Sequence, residues 1–270
     1  MNKREVRGVA KGKTRISVIS AIHYVKLVGR SVLLLAATAC YIVHRLAGGT
    51  VNDGNGLSAL QNDPFLLGFI GAVFFVEMLL RFFPSKNESM GCQKQFRCNF
   101  VPTDVKKPPK RSPWPIFFIV LFWVVLNGII GVLYFTGIID KGILVLICLA
   151  YSVCDMICIL FFCPFQTWLM KNKCCGSCRI YNWDFAMMFT PLVFIPRHPY
   201  AWVLLGTALI HLAVWELLAF IHPERFAEES NACLACAGCP EKLCHHKKQL
   251  RGFLRKNRHL FSATEQGDKK

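Results

Sequence analysis

Long apolar runs separated by short charged stretches organise this chain from end to end. The runs lie near 27–46, 65–83, 114–139, 143–163, 185–195 and 200–221. A helix needs about 20 apolar residues to cross a hydrocarbon core about 30 Å thick, and all but the fifth run approach that length. The fifth is only eleven residues long, with Pro191 inside it. As an α-helix it would rise only about 17 Å. A re-entrant hairpin is the competing reading there, because broken helices are tolerated where they line protein or water. The expected fold is all-α, a polytopic transmembrane helical bundle of about six spans. Its parts are a basic amino tail over 1–22, a membrane domain over 23–221, and a Cys-rich, basic tail over 222–270.

Charge fixes an expected orientation. The net charge of +16 invites a nucleic-acid reading, but its distribution opposes one. The connection 48–64 has no Lys or Arg, whereas 84–114, 164–184 and both tails are basic. Basic connections stay on the cytoplasmic side. Both termini are therefore expected in the cytoplasm of a multi-pass protein of the cell membrane. Gly48 to Pro64 offers no small-x-small cleavage site directly after the first run, so that run is read as a span rather than a signal peptide. Leu250, Phe253, Leu254, Leu260 and Phe261 recur near helical spacing among Lys and Arg. Such a helix suits the anionic inner leaflet. The expected partners are the bilayer and its anionic inner-leaflet lipid, with no nucleic acid; further membrane subunits are compatible with this reading.

The cysteines add chemistry. Of 14 in the chain, nine fall on connections assigned to the cytoplasm. That compartment keeps thiols reduced, which disfavours a disulfide framework, and clusters at two-residue gaps there point to metal. The candidate ligands are Cys174, Cys175, Cys178, Cys233, Cys236, Cys239 and Cys244. Two residues between cysteines aim both sulfurs at one centre, about 2.3 Å from a zinc ion, and four thiolates complete a tetrahedron. In one arrangement Cys175-x-x-Cys178 and Cys236-x-x-Cys239 close a zinc clamp between the 164–184 connection and the tail. In the other, Cys233-x-x-Cys236-x-x-Cys239 gives three ligands of an iron–sulfur cluster. That string is similar to the bacterial ferredoxin run, except that Pro240 follows the third cysteine and the last gap is four residues. Zinc and iron–sulfur both remain open. His245, His246, Cys92 and Cys98 are weaker candidates.

Ionisable groups inside spans default to function. Asp155, His211 and Glu216 are the intramembrane candidates for a buried polar site; the alternative is interhelical hydrogen bonding. Glu77 and Arg81 are expected to pair as i and i+4 neighbours, and Asp184 to cap the helix after it. His211 and His222 are expected to share a helical face. Cys154 and Cys158, one turn apart, face the same way and read as packing residues or as soft ligands. There is no phosphate-binding glycine loop and no metal-hydrolase pair of histidines at i and i+4, so no reaction is assigned. The functional expectation is a membrane transporter, sensor or scaffold component with a cytoplasmic cysteine-ligated metal. The alternative is a membrane redox protein passing electrons between a cytoplasmic iron–sulfur cluster and a buried acceptor near His211.

Overall fold

The computed structural model describes residues 18–46, 64–84, 93–105, 112–172, 178–195 and 199–235. Among them the chain is helical, with one isolated bridge between Pro102 and Asn231 and no strand. Six α-helices follow in order: α1 Val18–Leu46, α2 Pro64–Leu80, α3 Trp114–Phe135, α4 Lys141–Leu160, α5 Asp184–Phe189 and α6 Pro199–Ile221. Four of them, α1, α3, α4 and α6, are long and apolar enough to cross a membrane. The 17 residues of α2 are equally apolar but shorter.

α1 begins nine residues before the apolar run that announces it, taking Lys26 and the 18–22 stretch into one 29-residue helix. α3 has Pro115 in its first turn, where the missing N–H leaves no intrahelical partner unsatisfied. The tight turn after it uses Gly137 at φ +76°, a conformation that suits a residue without Cβ. Asp140 then caps α4: its Oδ1 accepts from the Ile143 N–H at 2.9 Å, and its Oδ2 accepts from the Tyr41 hydroxyl of α1 at 3.0 Å. α4 ends at Leu160, and a single π-turn, Phe165–Leu169, follows Pro164.

The fifth apolar run is where sequence and structure differ most in form. Residues 179–194 are continuously helical but change winding twice: 3-10 over Arg179–Trp183, α over Asp184–Phe189, and 3-10 over Thr190–Phe194. A 3-10 turn rises about 2.0 Å per residue against 1.5 Å for an α-helix, so the stretch reaches about 29 Å. It is also the most enclosed part of the molecule. Phe185, Met188, Phe189 and Leu192 join Phe74, Met78, Leu205 and Ala208 in the main core. Burial in protein is what allows the irregular backbone.

The radial distribution of polarity is inverted. Val25, Val28, Val32, Phe117, Phe118, Val124, Ile210 and Phe220 are exposed, while Arg30, Arg81, Asp184 and His211 are buried. Large contiguous apolar surfaces are rare on water-soluble monomers; here lipid is the solvent the outer faces fit.

Candidate functional site

Two connected features stand out: a buried charge network, and a cap that ties the cytoplasm-assigned connections together.

The network begins with Arg30, an arginine within the first apolar run. Its Nη2 donates to Glu77 Oε2 of α2 at 3.0 Å; its Nη1 donates to the Ser152 carbonyl at 3.0 Å and to Asp155 Oδ2 of α4 at 3.3 Å. Lys26, one turn earlier, donates to Glu77 Oε1 at 2.7 Å. The Arg30 guanidinium also lies 5.4 Å from the Phe74 ring centroid. A second pair stands deeper: Arg81 Nη1 is 2.5 Å from Asp184 Oδ2, and the Arg81 guanidinium lies 4.4 Å from the Phe185 centroid. Lys26, Arg30 and Arg81 thus stand against Glu77, Asp155 and Asp184, cation for carboxylate. Neutral pairing is what makes such burial tolerable in a low dielectric.

Several expectations need correction. Glu77 does not pair with Arg81: α2 ends at Leu80, so Arg81 leaves the helical register and turns to Asp184. Asp184 is the first residue of α5 rather than its cap, and its carboxylate serves Arg81. Asp155, which has no basic neighbour in sequence, finds Arg30 across 125 positions. His222 lies beyond α6, with its ring 3.1 Å from Glu224, while His211 is fully buried, so the two do not share an environment.

Asp155, His211 and Glu216 are each held by different partners. His211 Nε2 accepts from the Trp215 indole N–H at 3.0 Å. An indole only donates, so the proton of the neutral imidazole is on Nδ1. The rings of Phe82, Phe185 and Trp215 enclose it. Glu216 is partly exposed and binds Arg179 and the Trp183 indole N–H.

The cap is built on two asparagines. Asn231 Nδ2 donates to the Lys94 carbonyl at 3.0 Å and to the Arg225 carbonyl at 2.9 Å, while its Oδ1 accepts from the Cys233 N–H at 3.1 Å. The Ala232 N–H donates to the Val101 carbonyl at 2.8 Å. Asn182 Nδ2 donates to Gln95 Oε1 at 2.9 Å. Three connections that carry cysteines are thereby joined: 93–105, 178–183 and 223–235.

Of the predicted metal ligands, Cys178 and Cys233 are described; Cys174, Cys175, Cys236, Cys239 and Cys244 lie outside the described residues, as do Cys92, His245, His246 and the basic tail helix. Cys178 is buried beside Ile119 and Ile180. Cys233 is half-buried at the cap. Among the described residues no group of three or more His, Cys, Asp or Glu side chains is placed to hold a metal ion. No known family matches this chain, and no curated protein or solved structure resembles it at a significant level.

A cavity of about 150 Å³ adjoins the network. Cys154, Cys158, Cys163 and Cys178 line it together with Asp155 and Asp184. The shared face expected of Cys154 and Cys158 is present, and two further thiols come to it from other segments.

Proposed function

We propose that this protein is a multi-pass transporter, sensor or scaffold component of the cell membrane, with a cysteine-ligated metal on its cytoplasmic face. The observation that carries the reading is the cap: hydrogen bonds from Asn231 and Asn182 bring three cysteine-bearing connections to one side of the bundle. Cys178 and Cys233 stand in two of those connections, and the other candidate ligands, Cys174, Cys175, Cys236, Cys239 and Cys244, lie within eleven residues of one or the other in sequence. Thiolates gathered from two segments suit zinc or an iron–sulfur cluster.

The topology in this proposal has six membrane-inserted segments and both termini inside. Four long helices are supplemented by α2, about 26 Å long at 1.5 Å per residue, and by the 179–194 stretch. The charge network supports a working membrane interior, since ionisable groups at that depth mark pathways for ions or protons.

Elemental analysis and an absorption spectrum of protein purified without oxygen test the metal. One zinc per chain, or visible absorbance that bleaches on reduction, is the expected result. Protein free of metal after such a preparation, with Cys236→Ser unchanged in abundance, would sink the proposal. The redox alternative draws specific support from the thiol-lined cavity beside Asp155.

A further inference from the structure

We propose that Cys158 and Cys163 form a redox-active dithiol that is oxidised by a lipid quinone entering the cavity from the bilayer. The inference belongs to the redox alternative but does not depend on a metal at the cytoplasmic face.

The two thiols sit on either side of the end of α4. Cys158 is in its last turn, and Cys163 follows the break after Leu160. Both side chains line the same cavity. The three residues 161–163 between the helix end and Pro164 are not α-helical; the Phe161 and Phe162 N–H groups both donate to the Ile157 carbonyl, at 2.8 and 3.2 Å, which turns the chain so that Cys163 comes back to the cavity lined by Cys158. The Gln166 N–H also points at Cys163 Sγ, 3.4 Å away. A backbone donor aimed at sulfur favours electron density there, as a nucleophilic thiol needs.

The surroundings select the oxidant. Trp123, Tyr151, Phe165 and Tyr181 line the same cavity, with the Trp123 and Tyr151 rings 4.9 Å apart. Flat aromatic walls with two phenol groups suit a planar ring bearing two carbonyls, because pockets combine apolar walls with a few polar groups that fix orientation. Cys154 is exposed on α4 one turn before Cys158. It also lines the cavity, so an entry past Cys154 from the apolar outer face of α4 would admit lipid quinones, two-electron oxidants that dissolve in the bilayer.

The step balances. The two thiols lose two electrons and two protons and form one S–S bond. The quinone gains both electrons and both protons and leaves as hydroquinone.

The test uses full-length protein in lipid nanodiscs, reduced with a phosphine, treated with a chelator and freed of both without oxygen. A fully substituted short-chain ubiquinone analogue is added, because its ring has no free position for a thiol to add to. The expected result is one hydroquinone per chain, loss of two alkylatable thiols, and a Cys158–Cys163 disulfide in the peptide map. Cys158→Ser and Cys163→Ser each drop quinone reduction to the protein-free baseline, and Cys98→Ser leaves it unchanged. Cys158→Ala and Cys163→Ala, checked by gel filtration, separate lost chemistry from lost folding. If the wild-type quinone stays oxidised, or if the disulfide joins other cysteines, the proposal is overturned. Absence of metal from the cytoplasmic face would leave this result untouched.

Discussion

Arg30 is the most informative residue to remove. In Arg30→Met the volume and the apolar stem are largely kept, while contacts to Glu77, Asp155 and the Ser152 carbonyl are lost. Glu77 keeps Lys26, but Asp155 is left in the interior without that partner. The Arg30 side chain is 7% exposed and that of Asp155 16%, so solvent does little to soften the loss. Breaking a buried pair from one side costs about 3–5 kcal/mol, and that is the expected loss for Arg30→Met. Asp155→Asn added to it removes the stranded charge and should return about half of the loss, since neutral polar groups are far cheaper to bury than ions. Arg30→Lys should fall between, because one ammonium lacks the planar fork that reaches two carboxylates at once. Unfolding in detergent, followed by the reactivity of the buried Cys148 thiol, gives all four corners of the cycle. If Arg30→Met loses under about 1 kcal/mol and the two changes simply add, the network does not hold the helices together and the argument fails.

Asn231→Ala removes several hydrogen bonds of the cap, at about 1 kcal/mol each; faster amide exchange over 93–105 and 223–235, with the helices unchanged, checks it. Gly131→Val places a Cβ 2.6 Å from the Phe194 ring, and overpacking of this kind should destabilise by about 1–3 kcal/mol in the same unfolding assay. Arg179→Ala breaks a partly exposed pair with Glu216 and should move stability by less than about 1 kcal/mol; a larger shift would show that Glu216 matters structurally. For topology, an impermeant maleimide added to intact cells should leave Cys98 unlabelled and should label Ser58→Cys, in the connection without Lys or Arg; the reverse pattern would invert the orientation.

The four long helices were legible because lipid solvation demands nearly uniform runs, and such runs survive any error of a few residues. The charge network was legible in its carboxylates and in Arg81, but not in Arg30. Asp155 and Glu77 stood out as carboxylates in spans, but Arg30 was hidden by the averaged hydropathy of its run. Position-by-position reading would have found it, since an arginine at that depth is itself a signal. The partners could not have been read. Arg30 meets Asp155 across 125 positions, and the Arg81 pairing turned on where α2 stops. The i, i+4 rule holds only while the helix continues, and this one ends one residue too soon. Asn231 carried no sequence signal at all, because a lone asparagine in a polar tail has no periodicity to betray it. The convergence of four thiols was half visible: Cys154 and Cys158 follow from helical spacing, whereas Cys163 and Cys178 enter through a helix break and a separate segment.

The mixed winding of 179–194 sets the length of the segment. Ten of its residues are in 3-10 form. Rewinding them to α would shorten the stretch by about 5 Å, the difference in rise summed over ten residues and close to one α-helical pitch. Arg179 at one end holds Glu216 of α6, and Asp184 in the middle holds Arg81. A contraction of that size cannot keep both ion pairs in place. The two salt bridges thus act as struts that fix the drawn-out length of the segment between α2 and α6.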